Sequence, residues 1–273
     1  MEVRHARVNG CELAYVDTGA GEPLLLVHGS LCDYRYWPLQ ARALADRYRV
    51  ISLSLRHYYP AQWDGRGEGF QPDNQAEDVA AFIRQLDAGP VHLLGHSRGG
   101  YIAAQVARRH PTLVSSLILA DPGGDLDPSL LIGDEPVGID HGMLETCVAH
   151  LRDNRVDEAL AHFVDTVHGP GAWAANPEKF KQGARDNAHT LLGQVREVRE
   201  PFSAAMLAGI MAPTLLIGGA DSPAPFPRIL DALEANIPRA RRVTIRDASH
   251  GMNLEQPARF NEAVRHFLDE LQN

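Results

Sequence analysis

The sequence predicts an α/β protein: a mainly parallel sheet with helices on both faces, interrupted by a helical insertion. Three observations carry this. Short apolar runs recur along the chain, stretches with a helical apolar period lie between them, and the alternation stops over residues 123–212. Apolar runs without strict alternation read as strands buried on both faces, the environment inside a parallel sheet.

The first two strands, residues 4–8 and 12–17, flank Asn9-Gly10, the dipeptide suited to a tight hairpin, so the sheet is expected to open with an antiparallel pair. Apolar runs follow at 24–27, 50–55, 91–94, 114–120 and 214–217, and an alternating run at 243–246 completes the set. Val79, Phe82, Ile83 and Leu86 fall at i, i+3, i+4 and i+7, one stripe of a helix; Phe260, Val264, Phe267 and Leu268 repeat the pattern in the closing helix. Strands alternating with helices imply right-handed crossovers, which cover both faces of the sheet. The insertion opens on turn residues (Asp121-Pro122-Gly123-Gly124, Asp127-Pro128, Gly133, Pro136) and continues with helical patterns at 144–151 and 156–167. The expected division is a core of residues 1–122 and 213–273 and a helical cap of residues 123–212.

Composition narrows the function. The chain has 273 residues, 44% apolar and 22% charged, which excludes a disordered or fibrous protein. A net charge of −9 argues against nucleic acid or an anionic membrane as the main partner, since both need clustered Lys and Arg. The clusters Arg108-Arg109-His110 and Arg239-Ala240-Arg241-Arg242 read as solvated element ends. Cys11, Cys32 and Cys147 form no CxxC pair and are expected to be free thiols in a reducing cytoplasm. The start of the chain lacks the apolar core of a signal peptide, and no apolar run is long enough to span a bilayer. His141, Cys147 and His150 lack an accepted metal-ligand spacing and no HExxH occurs, so no metal is expected. A small-molecule substrate is the partner this leaves.

Gly95-His96-Ser97-Arg98-Gly99-Gly100 stands where a buried strand meets a helix. The G-x-S-x-G spacing is weak alone, but its place is informative. A serine hydroxyl becomes a useful nucleophile when a tight turn projects it towards a base, and that turn needs glycines on either side. The first N–H groups of the following helix then point at any anion that develops there.

With Leu26-Val27-His28-Gly29-Ser30 after the third strand and Ala248-Ser249-His250-Gly251 after the last, the chain resembles the α/β-hydrolase family over essentially its full length. The resemblance implies an eight-stranded sheet, Ser97 as nucleophile, His250 as general base, and the backbone amides of Ser30 and Arg98 as the oxyanion hole. The Arg98 side chain either binds a substrate carboxylate or lies against a neighbouring loop. For the triad acid the family's usual place, three residues after Gly219, holds Ser222; Asp221 is one place early. A second family solution, about 24 residues after the nucleophile, falls on Asp121. Asp121 is the preferred acid and Asp221 the alternative.

After the fourth strand the family usually shows an Asp followed by Arg-Gly-x-Gly, where this chain reads Ser54-Leu55-Arg56-His57-Tyr58-Tyr59-Pro60. Tyr58, with Trp37, Trp173 and His28, is a candidate for the substrate pocket, packing being the competing use. A serine at position 97 removes the branches that attack with a carboxylate. The resemblance then implies a cofactor-free serine hydrolase cleaving a carboxylic ester or lactone of a small organic substrate through an acyl-enzyme. C–C bond hydrolysis, perhydrolysis and cofactor-independent oxygenation are alternatives within the enzyme class, and a low-turnover ligand-binding receptor is the alternative outside it.

Overall fold

The computed structural model describes residues 2–67, 69–131, 136–138 and 140–272; Gly133, one of the expected turn residues, lies outside them. Its strands are β1 (Val3–Val8), β2 (Cys11–Thr18), β3 (Glu22–Val27), β4 (Tyr48–Leu53), β5 (Val91–His96), β6 (Val114–Ala120), β7 (Thr214–Gly219) and β8 (Ala240–Ile245), joined in one sheet in the order β1-β2-β4-β3-β5-β6-β7-β8. The β1–β2 and β2–β4 pairs are antiparallel, and every pairing from β4 through β3 to β8 is parallel. Asn9 and Gly10 take φ of 44° and 75°, the paired positive values that the hairpin requires.

Helices α1 (Pro38–Leu44), α2 (Pro72–Leu86) and α3 (Arg98–Arg109) follow β3, β4 and β5. Between β6 and β7 come α4 (His141–Arg152), α5 (Val156–His168), α6 (Ala172–Ala175), α7 (Glu178–Asn187), α8 (Leu191–Gln194) and α9 (Ala204–Ala208). The chain closes with α10 (Phe226–Asn236), α11 (Met252–Glu255) and α12 (Pro257–Leu271). The apolar stripe of α2 buries Val79, Phe82 and Ile83 in one cluster with α3 and α10; that of α12 buries Phe260, Val264, Phe267 and Leu268 in another with α1. A third cluster, built on Leu144, Cys147, Leu160, Phe163, Trp173 and Leu191, holds α4 to α8 together and takes in Leu31 from the loop after β3.

Two strand ends differ from expectation. β4 stops at Leu53 rather than continuing to Leu55, because the Leu55 N–H donates to Nε2 of His28 (3.1 Å) instead of to the ladder. β8 begins at Ala240, so Arg241 and Arg242 lie within it; as the edge strand it leaves these side chains room to reach Glu270 and Asp231.

The register positions the site. Val27, Gly95, Leu119 and Leu216 stand level across β3, β5, β6 and β7. Two residues further on, at the carboxyl edge of the parallel strands, come Gly29, Ser97 and Asp121, with His250 in the loop after β8. That edge is where open parallel sheets place their ligands.

Candidate active site

Ser97 has φ 53° and ψ −122°, a strained conformation for a residue with a side chain, imposed by the turn from β5 into α3. The turn is held by Ser97 N–H donating to Ala120 O (2.9 Å) and by Ser97 O accepting from the amides of Gly100 and Gly123 (2.9 Å each). Its glycines are required by close approach. A Cβ at Gly99 would lie 2.4 Å from the carbonyl oxygens of Val27 and His28, and one at Gly95 would lie 2.3 Å from Gly99 O. The packing of α3 on the sheet therefore admits no side chain at either position.

Ser97 and His250 line one cavity of about 270 Å³ together with Ser30. His250 is buried and stacked on Phe226, with ring centroids 3.9 Å apart and planes 15° apart; His96 and His168 approach it at 4.6 and 5.2 Å. His96 also fixes the loop, its Nε2 donating to His250 O (2.8 Å). Nδ1 of His250 faces Oδ2 of Asp121 at 3.3 Å. This is longer than the roughly 2.6–3.2 Å of a tight catalytic hydrogen bond, as is common before substrate binds. The same Asp121 oxygen accepts a hydrogen bond from the Ser222 hydroxyl (2.5 Å). Asp221, by contrast, is exposed, with its backbone N–H donating to Ala248 O (2.9 Å). The carboxylate beside His250 in this structure is thus that of Asp121.

Burial dominates the electrostatics. It pushes His250 down to about 3 and, of the cavity's two other imidazoles, His168 also to about 3 and His96 well below its ordinary value. It pushes Asp121 up to about 7, opposed first by the Ser222 hydroxyl. His250 therefore rests neutral at physiological pH, able to accept a proton. A hydroxyl opening on the same cavity as a neutral imidazole with a carboxylate behind it can deliver an oxygen nucleophile.

Arg98 is the first residue of α3, so its N–H has no acceptor within the helix. Its buried side chain does not reach for the cavity. Nε donates to Glu197 Oε1 (3.0 Å), the guanidinium also bonds Gln75, and Glu197 is shared with Arg199 (2.7 Å). Of the two uses open to this arginine, the structure shows packing against a loop. The Ser30 hydroxyl donates to Gln194 Oε1 (2.9 Å), so both amides expected to hold an oxyanion belong to residues tied to the end of α8 and the loop after it.

The four expected pocket residues do not line the cavity. His28 is buried beneath it, its Nδ1 donating to Gly29 O (2.8 Å) while Nε2 accepts from Leu55 N–H, which shapes the loop carrying Ser30. Trp37 is fully buried with α1 and α12, and Tyr58 packs edge-on against His28. Trp173 sits in the cluster of α4 to α8 with Lys181 and Arg185 over its ring. The wall is made instead by Tyr36, Phe163, Val167, His168 and Phe180. Phe163 and Val167 were legible only as part of the apolar face of α5, and Ser222, Phe226 and Gln194 reach the site through contacts far apart in sequence. Among the described residues no group of three or more His, Cys, Asp or Glu could hold a metal ion, and no helix is long and apolar enough to cross a membrane.

Comparison with known proteins agrees with this architecture. The model of the alpha/beta hydrolase family matches residues 24–263. A pimeloyl-[acyl-carrier protein] methyl ester esterase of Aeromonas hydrophila is 28% identical over 260 residues, covering 92% of this chain and 96% of the relative. The crystal structure of a bromoperoxidase from Bacillus anthracis superposes with a TM-score of 0.83 at 26% identity, covering 98% of this chain and all of that one. A thermophilic esterase from Thermogutta terrifontis superposes with a TM-score of 0.79 at 26% identity, with full coverage of both chains.

Proposed function

The chain belongs to the alpha/beta hydrolase family, and from that premise we propose that it is a serine hydrolase cleaving a carboxylic ester or lactone of a small organic substrate. The observation that carries the reading is the convergence of Ser97, neutral His250 and Asp121 at one end of the sheet, with Ser97 and His250 opening on a single cavity. In this reading Ser97 Oγ attacks the substrate carbonyl as His250 Nε2 takes its proton, and the amides of Ser30 and Arg98 hold the oxyanion. His250 returns the proton to the departing alcohol, leaving an acyl group on Ser97. Water, deprotonated by the same imidazole, then releases the acid. Asp121 holds Nδ1 and balances the imidazolium that forms in each half. We read residues 123–212 as a cap, because the cavity at Ser97 takes much of its wall from α5 to α7. The division into a core of residues 1–122 and 213–273 and this cap is part of the proposal.

A panel of p-nitrophenyl esters and small lactones tests the reading. The expected result is a burst of p-nitrophenolate proportional to protein, followed by steady turnover. Absence of hydrolysis across the panel argues for the receptor reading instead. The similarity to a bromoperoxidase favours one second reading, in which hydrogen peroxide replaces water and carries the acyl group away as a peracid. Peracid formation from acetate and peroxide, abolished with Ser97, would support it.

Ser222 is expected to set the pH response. Its hydroxyl stabilises the ionised form of Asp121, so Ser222→Ala raises the carboxyl's pKa further above its ordinary range. The acidic limb of kcat/KM should move to higher pH by about one unit, the worth of a hydrogen bond to a charged group, with little change on the plateau. An unmoved limb in a pH–rate series contradicts this role.

A further inference from the structure

The chamber at Ser97, about 270 Å³, falls just short of the roughly 300–1,000 Å³ of sites that take small organic ligands. A second cavity of about 520 Å³ continues it outward, and Leu31, Tyr36, Phe180 and Leu254 line both. Its outer wall adds Pro38, Leu39 and Pro177, and Leu39 is 41% exposed, so this passage between α1, α7 and α11 is open to solvent at its outer end. Of the charged groups that line it, Arg35 pairs with Asp33 (2.7 Å) and Asp186 (2.8 Å) and Glu255 accepts from the Ser249 amide (2.7 Å), while Lys179 also stands in the wall.

Resting on the proposed hydrolase reading, we propose that this outer cavity is a chain-binding subsite and that the substrate is an ester bearing an uncharged hydrocarbon chain of medium length. The chamber holds the ester group at Ser97 and the passage holds the chain. A short head group would leave this apolar wall wetted, whereas each methylene that enters it is worth about fourfold in kcat/KM when the transition state keeps the contact. The chain belongs to the acyl or to the alcohol half, and the two are separable by experiment.

Gly183 supplies the means to close the subsite. It lies on α7 and lines the outer cavity, and a Cβ there would meet nothing within 4 Å. Gly183→Leu should therefore fill the passage without displacing backbone, at a position where leucine also favours the helix.

The probes are p-nitrophenyl phosphonates, which form a bond from Ser97 Oγ to phosphorus and expel p-nitrophenolate as His250 accepts the serine proton. One series lengthens the alkyl group on phosphorus, matching the acyl half; the other lengthens the alkoxy group, matching the alcohol half. The labelling rate constant should rise at least tenfold from methyl to hexyl in one series. Gly183→Leu should lower the hexyl-to-methyl ratio at least tenfold, and Leu39→Asp, at an exposed position that tolerates charge, should lower it severalfold even if the first variant folds poorly. Two flat series with efficient labelling, or a rise that survives both substitutions, would overturn the subsite alone. No labelling by any probe would overturn the assignment of the nucleophile, and the subsite with it.

Discussion

Ser97→Ala is expected to lower ester turnover by about 10³-fold or more while the protein melts as the parent does. The substitution removes the attacking oxygen and nothing else: the side chain opens on the cavity, and the turn is held by backbone bonds to Ala120, Gly100 and Gly123. What survives would come from the amides of Ser30 and Arg98 and from substrate binding, which in serine hydrolases leave a residual rate well above that in water. Steady-state kinetics with a p-nitrophenyl ester, paired with a thermal melt, is the check. Near-parental turnover with an unchanged melt would remove Ser97 from the mechanism.

Asp121→Asn should be the next most damaging change, costing kcat about 10³- to 10⁴-fold. The amide fits the same volume but cannot balance the imidazolium, and its N–H₂ facing Nδ1 would favour the tautomer in which Nε2 carries the proton and cannot accept one from Ser97. Asp221→Asn should cost little, because that side chain is exposed. The two carboxylates lie on neighbouring strand ends, so the double variant belongs in the series; a deficit larger than the product of the single effects would show that Asp221 partly substitutes when Asp121 is lost. A severe loss in Asp221→Asn with a mild one in Asp121→Asn would reverse the assignment.

Much of the frame was legible because its signals are local. An apolar run such as Val114–Ala120 has few uses other than a doubly buried strand, and Asn9-Gly10 has few other than a hairpin. The serine turn was legible for a related reason: Gly95 and Gly99 stand where neighbouring carbonyls leave no room for a Cβ, and that demand is written into the chain as a motif. The end of β4 was misplaced because a side chain far away, His28, claims the Leu55 amide. The pocket was misread for the same kind of reason. Trp37 and Tyr58 are as aromatic as Tyr36 and Phe180, and only the packing of α1, α7 and α12 decides which rings face the cavity. Ser222 was visible as the residue occupying the usual acid position, but its hydrogen bond to Asp121 depends on how the ends of β6 and β7 meet in space.

In the proposed mechanism the chemistry passes through a covalent bond to Ser97. Its most direct test is to quench the protein with acid during turnover of a slowly hydrolysed ester and map the peptides by mass spectrometry. The peptide containing Ser97 should gain the mass of the substrate's acyl group, this adduct should decay as product appears, and it should be absent from Ser97→Ala. An unmodified Ser97 peptide while ester is being consumed, or an adduct on another residue that decays at the rate of turnover, would contradict it.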